Sequence, residues 1–330
     1  MNGFQDFWKG LVNAWQHHSV FQRPAVTLWF FRTWWLQNKK LLQAKQANVL
    51  YFGPVYSEFG HVLLHILPFL AYAHYKLGIE KIVVCTNQVY KPLFDFVFPK
   101  AVCELISLPD HIGAYTPSVN KLPEGIDAEM KNSIIQFQNA LESHNGFDLL
   151  DGKAYWYVFR NWHLANKHQY LPPIKSDSPT PESKPKVMIF PRKKGAEYTA
   201  NNGGPWDYPL LVNKLLDFAQ VVVAGHPNLS VSEGYSDHPD LSFAWDNQSL
   251  LNESSTCQLI ITQHSGACIL GDYVGVDTLI LFNGTPPIKG LDETMRFRRH
   301  IQKGNFYFAH NLEEVDAFLI KRFKLQHETT

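Results

Sequence analysis

The chain has 330 residues, 30 basic and 30 acidic, and 45% of them are hydrophobic. That length suggests about two domains, and the composition excludes a disordered chain. A formal net charge of zero excludes a globally basic nucleic-acid binder.

Cys85, Cys103, Cys257 and Cys268 form no CxxC pair and sit in or beside apolar runs. Buried free thiols in a reducing compartment are expected, rather than a disulfide frame or a zinc site. No uninterrupted apolar stretch approaches the roughly 18–20 residues of a bilayer span. The start, MNGFQDFWKGLVNAW, is broken by Asp6 and Lys9, unlike a secretory signal. The expected location is cytoplasmic.

Residues 1–47 hold five of the nine tryptophans: Trp8, Trp15, Trp29, Trp34 and Trp35. The stretch TLWFFRTWWLQNKKLLQAK mixes Trp, Phe and Lys in a way that fits two placements. One is a helix in a membrane interface, which makes the chain peripheral on the inner face of a membrane. The other is a helix docked through its aromatic side chains on the protein's own core. The sequence leaves both open.

A first α/β domain is expected over 48–164. NVLYFG (Asn48 to Gly53) reads as a buried strand. Ser57 can then cap a helix running through Leu77, with Gly78 as its stop and Pro68 expected to kink it or end it early. KIVVCT (Lys81 to Thr86) and VCELIS (Val102 to Ser107) read as further strands. Strands alternating with helices predict a parallel sheet covered on both faces. Residues 165–186 contain five prolines and read as a linker.

The rhythm restarts over 187–330, with strands at 187–191, 219–224, 240–245, 258–262, 278–282 and 306–310. Helices are expected at 207–218, 248–256, 266–274 and 312–324. Two such domains joined by a linker predict a ligand cleft between them.

The most informative stretch is IITQHSGACILGDYVGVDTLILFNG, Ile260 to Gly284. A strand leads through His264 and Ser265 into Gly266 and Ala267, the small-residue start of a helix. Unpaired N–H groups and partial positive charge there favour phosphate. A plain tight turn would need the glycine, but not His264 and Ser265.

This stretch resembles the donor-binding part of bacterial GT-B glycosyltransferases of the lipopolysaccharide heptosyltransferase type. Ser265, Gly266, Leu270, Gly275, Thr278, Leu281 and Phe282 fall in register with that family without a gap. The chain departs from it at His264, where the family has an aspartate, and at Ile269, where it has a histidine. The resemblance implies two Rossmann-like domains facing a cleft and an enzyme of polysaccharide or glycolipid biosynthesis. It would take a nucleotide-sugar donor and a glycan or lipid-linked acceptor. It also implies no cofactor and no metal, since such folds hold the diphosphate with protein donors. No DxD signature is present.

Three other features fit a nucleotide-sugar site. Arg192 and Lys194 follow the first strand of the second domain and can neutralise a departing diphosphate, though a solvated basic turn looks the same. NNGGPW (201–206) is a Gly-rich loop before a helix. Gly225-His226-Pro227 ends the next strand, and an HP pair some forty residues before a serine turn is similar to sialyl- and Kdo transferases. In the first domain the loop Tyr56 to His61 corresponds to the one that supplies the family's catalytic base. Glu58 is the nearest match and His61 the alternative; helix N-terminal charge compensation is the ordinary role for Glu58. His61 and His65 form an i,i+4 pair, but HVLLH lacks the glutamate of HExxH and any evident third ligand. Arg296 and Arg299, in the basic run RFRRH, can hold an anionic acceptor or sit on a solvated turn.

A glycosyltransferase is the leading expectation. A non-catalytic GT-B-like sugar or nucleotide binder is its rival from another class, and a nucleotide-sugar epimerase of similar architecture is a third reading.

Overall fold

The computed structural model describes residues 8, 11–12, 15, 19–55, 59–108, 127–149, 184–192, 206–226, 230–263, 266–281 and 304–325, with backbone only at 61, 64, 65, 107, 108, 130 and 272. The chain divides into two compact units, Met1–Pro172 and Pro173–Thr330. Residues 165–183 of the expected linker lie outside the described residues.

The first unit opens with helix α1, Arg23–Ala47. Pro24 sits in its first turn, where a missing N–H costs nothing. Asn48 ends it in the left-handed conformation, φ 56°, and accepts the Glu80 N–H with its side chain at 3.0 Å. Phe30, Thr33, Gln37, Leu41 and Ala44 are its buried residues, spaced three and four apart as one helical face requires. That face packs on strand β1, Val49–Val55. Lys40 donates to the Gly146 carbonyl, and its Nζ lies 5.6 Å from the Phe147 ring centroid. The aromatic segment does dock on its own unit.

Strands β2 (Lys81–Asn87), β3 (Cys103–Leu108) and β4 (Phe147–Asp148) complete a parallel sheet in the order β3-β2-β1-β4. Under it Phe52, Phe69 and Phe147 are fully buried, with ring centroids 5.2–6.2 Å apart. Such aromatic pairs contribute about 0.5–1.5 kcal/mol each beyond the area they bury.

The helical stretch after β1 neither stops nor breaks at Pro68. Phe59–His61 and Leu67–Ala71 are α-helical, while Val62–Ile66 and Tyr72–Lys76 are π-helical. Proline at 68 removes one N–H and crowds the carbonyl four residues back, and the wider π turn just before it makes room. Gly78, φ 76°, closes the end by donating to the His74 carbonyl at 3.0 Å.

The second unit is a six-stranded parallel sheet: β5 (Lys186–Phe190), β6 (Gln220–Ala224), β7 (Leu241–Ala244), β8 (Leu259–Gln263), β9 (Asp277–Leu281) and β10 (Phe306–Ala309). The order is β10-β9-β8-β5-β6-β7. Its inner strands are buried almost residue by residue, as sheets covered on both faces are. Helices α2 (Tyr208–Leu216) and α3 (Leu312–Phe323) add Leu211, Leu215, Val315 and Leu319 to that core. Asp207 caps α2 by accepting the Leu210 N–H at 3.0 Å, and Asn311 caps α3 by accepting the Glu314 N–H at 2.8 Å. Helix α4, Ala267–Val274, lies so close to β9 that a Cβ on Gly271 would fall 2.1 Å from the Thr278 hydroxyl.

The expectation of two Rossmann-like α/β units with parallel sheets therefore holds. All four cysteines are free, and burial pushes the Cys85, Cys103 and Cys257 thiols up to about 12, so they stay protonated. No helix among the described residues is long and apolar enough to cross a membrane.

Candidate functional site

In an open parallel sheet, ligands bind beyond the carboxyl ends of the strands where the strand order reverses. Numbered within the second unit, the strands run 3-2-1-4-5-6, and the reversal falls between β5 and β8. Arg192 follows β5, and β8 ends at Gln263, two residues before Ser265. The topology thus brings two stretches singled out in the sequence, 71 residues apart, to one edge of one sheet.

Ser230 ties the neighbouring strand ends together. It forms an antiparallel bridge with Arg192, and the Val231 N–H donates to the Pro191 carbonyl at 3.0 Å. Its own N–H donates to the His226 carbonyl at 2.8 Å, and its Oγ accepts the His226 N–H at 3.2 Å. Arg192 and His226 are thereby fixed at adjacent strand ends, both half-buried. Burial lowers the His226 imidazole below its ordinary pKa, which favours the neutral ring near pH 7.

Tyr208, the first residue of α2, is buried at this edge beside the Arg192 backbone and the Gln263 side chain. Burial raises the pKa of its phenol above the ordinary value, so the hydroxyl stays protonated and can donate. The Gln263 carbonyl accepts from the Thr262 hydroxyl at 2.9 Å and the Cys268 thiol at 3.2 Å, which pins the end of β8 to the first turn of α4. Gly266 stands at the N-cap of α4 with φ −54° and ψ −26° and no side-chain cap. Ala267 is buried in the first turn. Helix α4 therefore begins just beyond the end of β8, the strand paired with β5, which Arg192 follows.

Lys194, His264, Ser265, Arg296 and Arg299, with the loop 201–205, lie outside the described residues. So does Glu58. His61 is described by its backbone, in that first turn. The first sheet reverses its order between β1 and β4, so β1, whose last residue is Val55, ends at that reversal point. Gly53 there has φ 141° and lies so near β2 that a Cβ would sit 2.6 Å from the Cys85 carbonyl. Gly53 pairs with Asp148, whose carboxylate accepts from Gln138 Nε2 at 3.3 Å.

Sequence reading missed Ser230, Tyr208, Gln263 and Asp148. Gln263 ends a strand two residues before the singled-out Ser265 and was findable. Asp148 sits on a two-residue strand with no periodicity to mark it. Among the described residues no cluster of His, Cys, Asp and Glu has the arrangement of a metal site.

No family model matches the chain, and no curated protein matches it. Solved structures do. A family 9 glycosyl transferase from Veillonella parvula is 14% identical, over 84% of this chain and 90% of that one, with a TM-score of 0.47. The E. coli ADP-heptose lps heptosyltransferase II is 15% identical, over 83% and 99%, with a TM-score of 0.47. The E. coli heptosyltransferase WaaC with ADP is 13% identical, over 84% and 98%, with a TM-score of 0.48. The chain is similar to these proteins.

Proposed function

We propose that the chain is a metal-independent glycosyltransferase that moves a sugar from a nucleotide-sugar donor to a glycan or lipid-linked acceptor. The observation that carries this reading is the Ser230 tie. It holds Arg192 at the reversal point of the second sheet and His226 at the next strand end, on the edge where α4 begins. In glycosyl transfer the bond from the sugar carbon to the donor phosphate breaks, and negative charge grows on the leaving phosphate. Arg192 and Lys194 offset that charge, while the N–H groups at Ser265, Gly266 and Ala267 receive the phosphate oxygens. His226 and His264 supply neutral or charged donors beside them.

On the acceptor side, Glu58 takes the proton from the attacking hydroxyl, with His61 as the alternative base. Arg296 and Arg299 hold an anionic acceptor. The enzyme would work in the cytoplasm, peripheral on the inner face of a membrane through residues 1–47. One observation favours a non-catalytic binder instead: His264 and Ile269 stand where the resembled family has an aspartate and a histidine.

The deciding experiment is a thermal-shift screen against UDP, GDP, ADP, CMP and dTDP. A ligand that binds only the native state stabilises it by RT ln(1 + [L]/Kd), about 2.7 kcal/mol at a hundredfold excess over Kd. The chain should shift with one or two nucleotides, and hydrolysis or transfer of the matching nucleotide-sugar should follow. A shift without turnover supports the binder, and no shift at all removes the nucleotide reading.

A further inference from the structure

Helix α1 is apolar on both sides: one side is buried, and the other keeps large apolar side chains exposed. At about 100° per residue, Phe30, Thr33, Gln37, Leu41 and Ala44 share one arc of the helix. Leu28, Phe31, Trp35 and Leu42 share the opposite arc and are 71%, 51%, 51% and 57% exposed. The exposed Arg32 and Lys39 lie on that same outward arc, with Lys39 Nζ 5.4 Å from the Trp35 ring centroid. From Leu28 to Leu42 the stripe is about 21 Å long.

Its charge is one-sided as well. Between Asp6 and Glu58 there is no acidic residue, while Lys9, Arg23, Arg32, Lys39, Lys40 and Lys45 are all basic. The whole chain balances 30 basic against 30 acidic residues, so this run of one sign is a local departure. Large apolar side chains among cations, on a stretch of chain without acidic residues, fit an anionic lipid surface: rings enter the headgroup layer and ammonium and guanidinium groups meet lipid phosphates. A second copy of the same stripe would bring like charges together, which disfavours a homodimer through this face.

We infer that the outward face of α1 docks on an anionic phospholipid bilayer while its inward face holds the first unit. Docking on the protein and docking on a membrane are then the two sides of one helix. This deepens the lipid-side part of the proposed function and needs no transferase activity to be true.

The test is co-sedimentation of the full chain with vesicles of pure phosphatidylcholine, and with vesicles containing about 30% phosphatidylglycerol, at about 0.15 M salt. No donor or acceptor is present, so failure here and failure of the transferase reading are separate results. The chain should sediment with the anionic vesicles and come off at about 1 M salt. Arg32→Gln with Lys39→Gln should weaken partitioning about 30-fold, at roughly fivefold per basic residue. Trp35→Ser with Leu42→Ser should weaken it by about as much through lost apolar insertion. Both pairs point outward, so melting temperatures should stay at the unmodified value, and a large drop would contradict that placement. Equal binding to both vesicle types, binding unchanged in both variants, or no binding at all would overturn the inference. So would a concentration-dependent dimer that Trp35→Ser breaks.

Discussion

The Ser230 hydroxyl occupies the space where a side chain on Gly225 would begin: a Cβ built there lies 2.0 Å from Ser230 Oγ. Gly225 also has φ 141°, a conformation L side chains rarely adopt. The absent side chain lets the serine reach across and accept the His226 N–H. Glycine at 225 thus sets where Arg192 and His226 sit. Gly225→Ala should cost about 2–4 kcal/mol, from backbone strain and overpacking together. Chemical denaturation of the variant measures it. Adding Ser230→Gly should recover the steric part and leave the backbone part, a split a double-mutant cycle reads directly.

His226 gives a pH-dependent prediction. Its folded pKa is lowered by burial, so between that value and the ordinary value of about 6.5 the unfolded chain binds more protons than the folded one. Stability therefore rises with pH through that window and is lost as pH falls below about 6.5. His226→Gln should lose less melting temperature than the unmodified chain between about pH 7.5 and 5.5. An identical loss in both would show that the ring does not carry the effect.

Gly266 predicts a binding effect without a folding effect. Its φ of −54° and ψ of −26° are open to any L residue, so a side chain brings no backbone strain. Gly266→Val should leave the melting temperature within a few degrees and lower affinity for the nucleotide found by thermal shift. Losing one backbone hydrogen bond to a charged phosphate is worth about 1.5–3 kcal/mol, so at least about a tenfold loss is expected by titration calorimetry.

The strands at Val187, Val221, Leu259 and Thr278 were legible because parallel strands buried on both faces read as unbroken apolar runs. The helix stop at Gly78 was legible too, and it adopts φ 76°. The strand order was not, and it is the order that unites Arg192 with Gln263. Local patterns carry no information on which distant strand pairs with which. Helix α1 shows the opposite limit. Apolar residues on both of its faces left docking on the protein and docking on a membrane indistinguishable, until burial separated Phe30 and Leu41 from Leu28 and Trp35. At Pro68 a widened turn absorbed the proline where simple helix rules predict a break.

Three residues compete for the role of acceptor base. Glu58 follows β1 three residues on in the sequence, His61 lies in the first helical turn, and Asp148 ends β4 opposite Gly53 at the reversal of strand order. A base must approach the acceptor hydroxyl to about 2.6–3.2 Å, and it typically contributes roughly 10²–10⁴-fold to the rate. Removing only that role lowers kcat and leaves donor affinity alone, because the groups proposed to bind phosphate belong to the second unit. Glu58→Gln keeps size and hydrogen bonding but cannot take up the proton, so it should lose about 10²–10⁴-fold in kcat with unchanged nucleotide affinity. His61→Ala and Asp148→Asn should each lose less than about tenfold, the latter because the Gln138 contact marks that carboxylate as already partnered in its own sheet. Transfer rates and nucleotide affinities of the three variants, measured side by side, decide among them. A large kcat loss confined to His61→Ala or to Asp148→Asn would move the role to that residue.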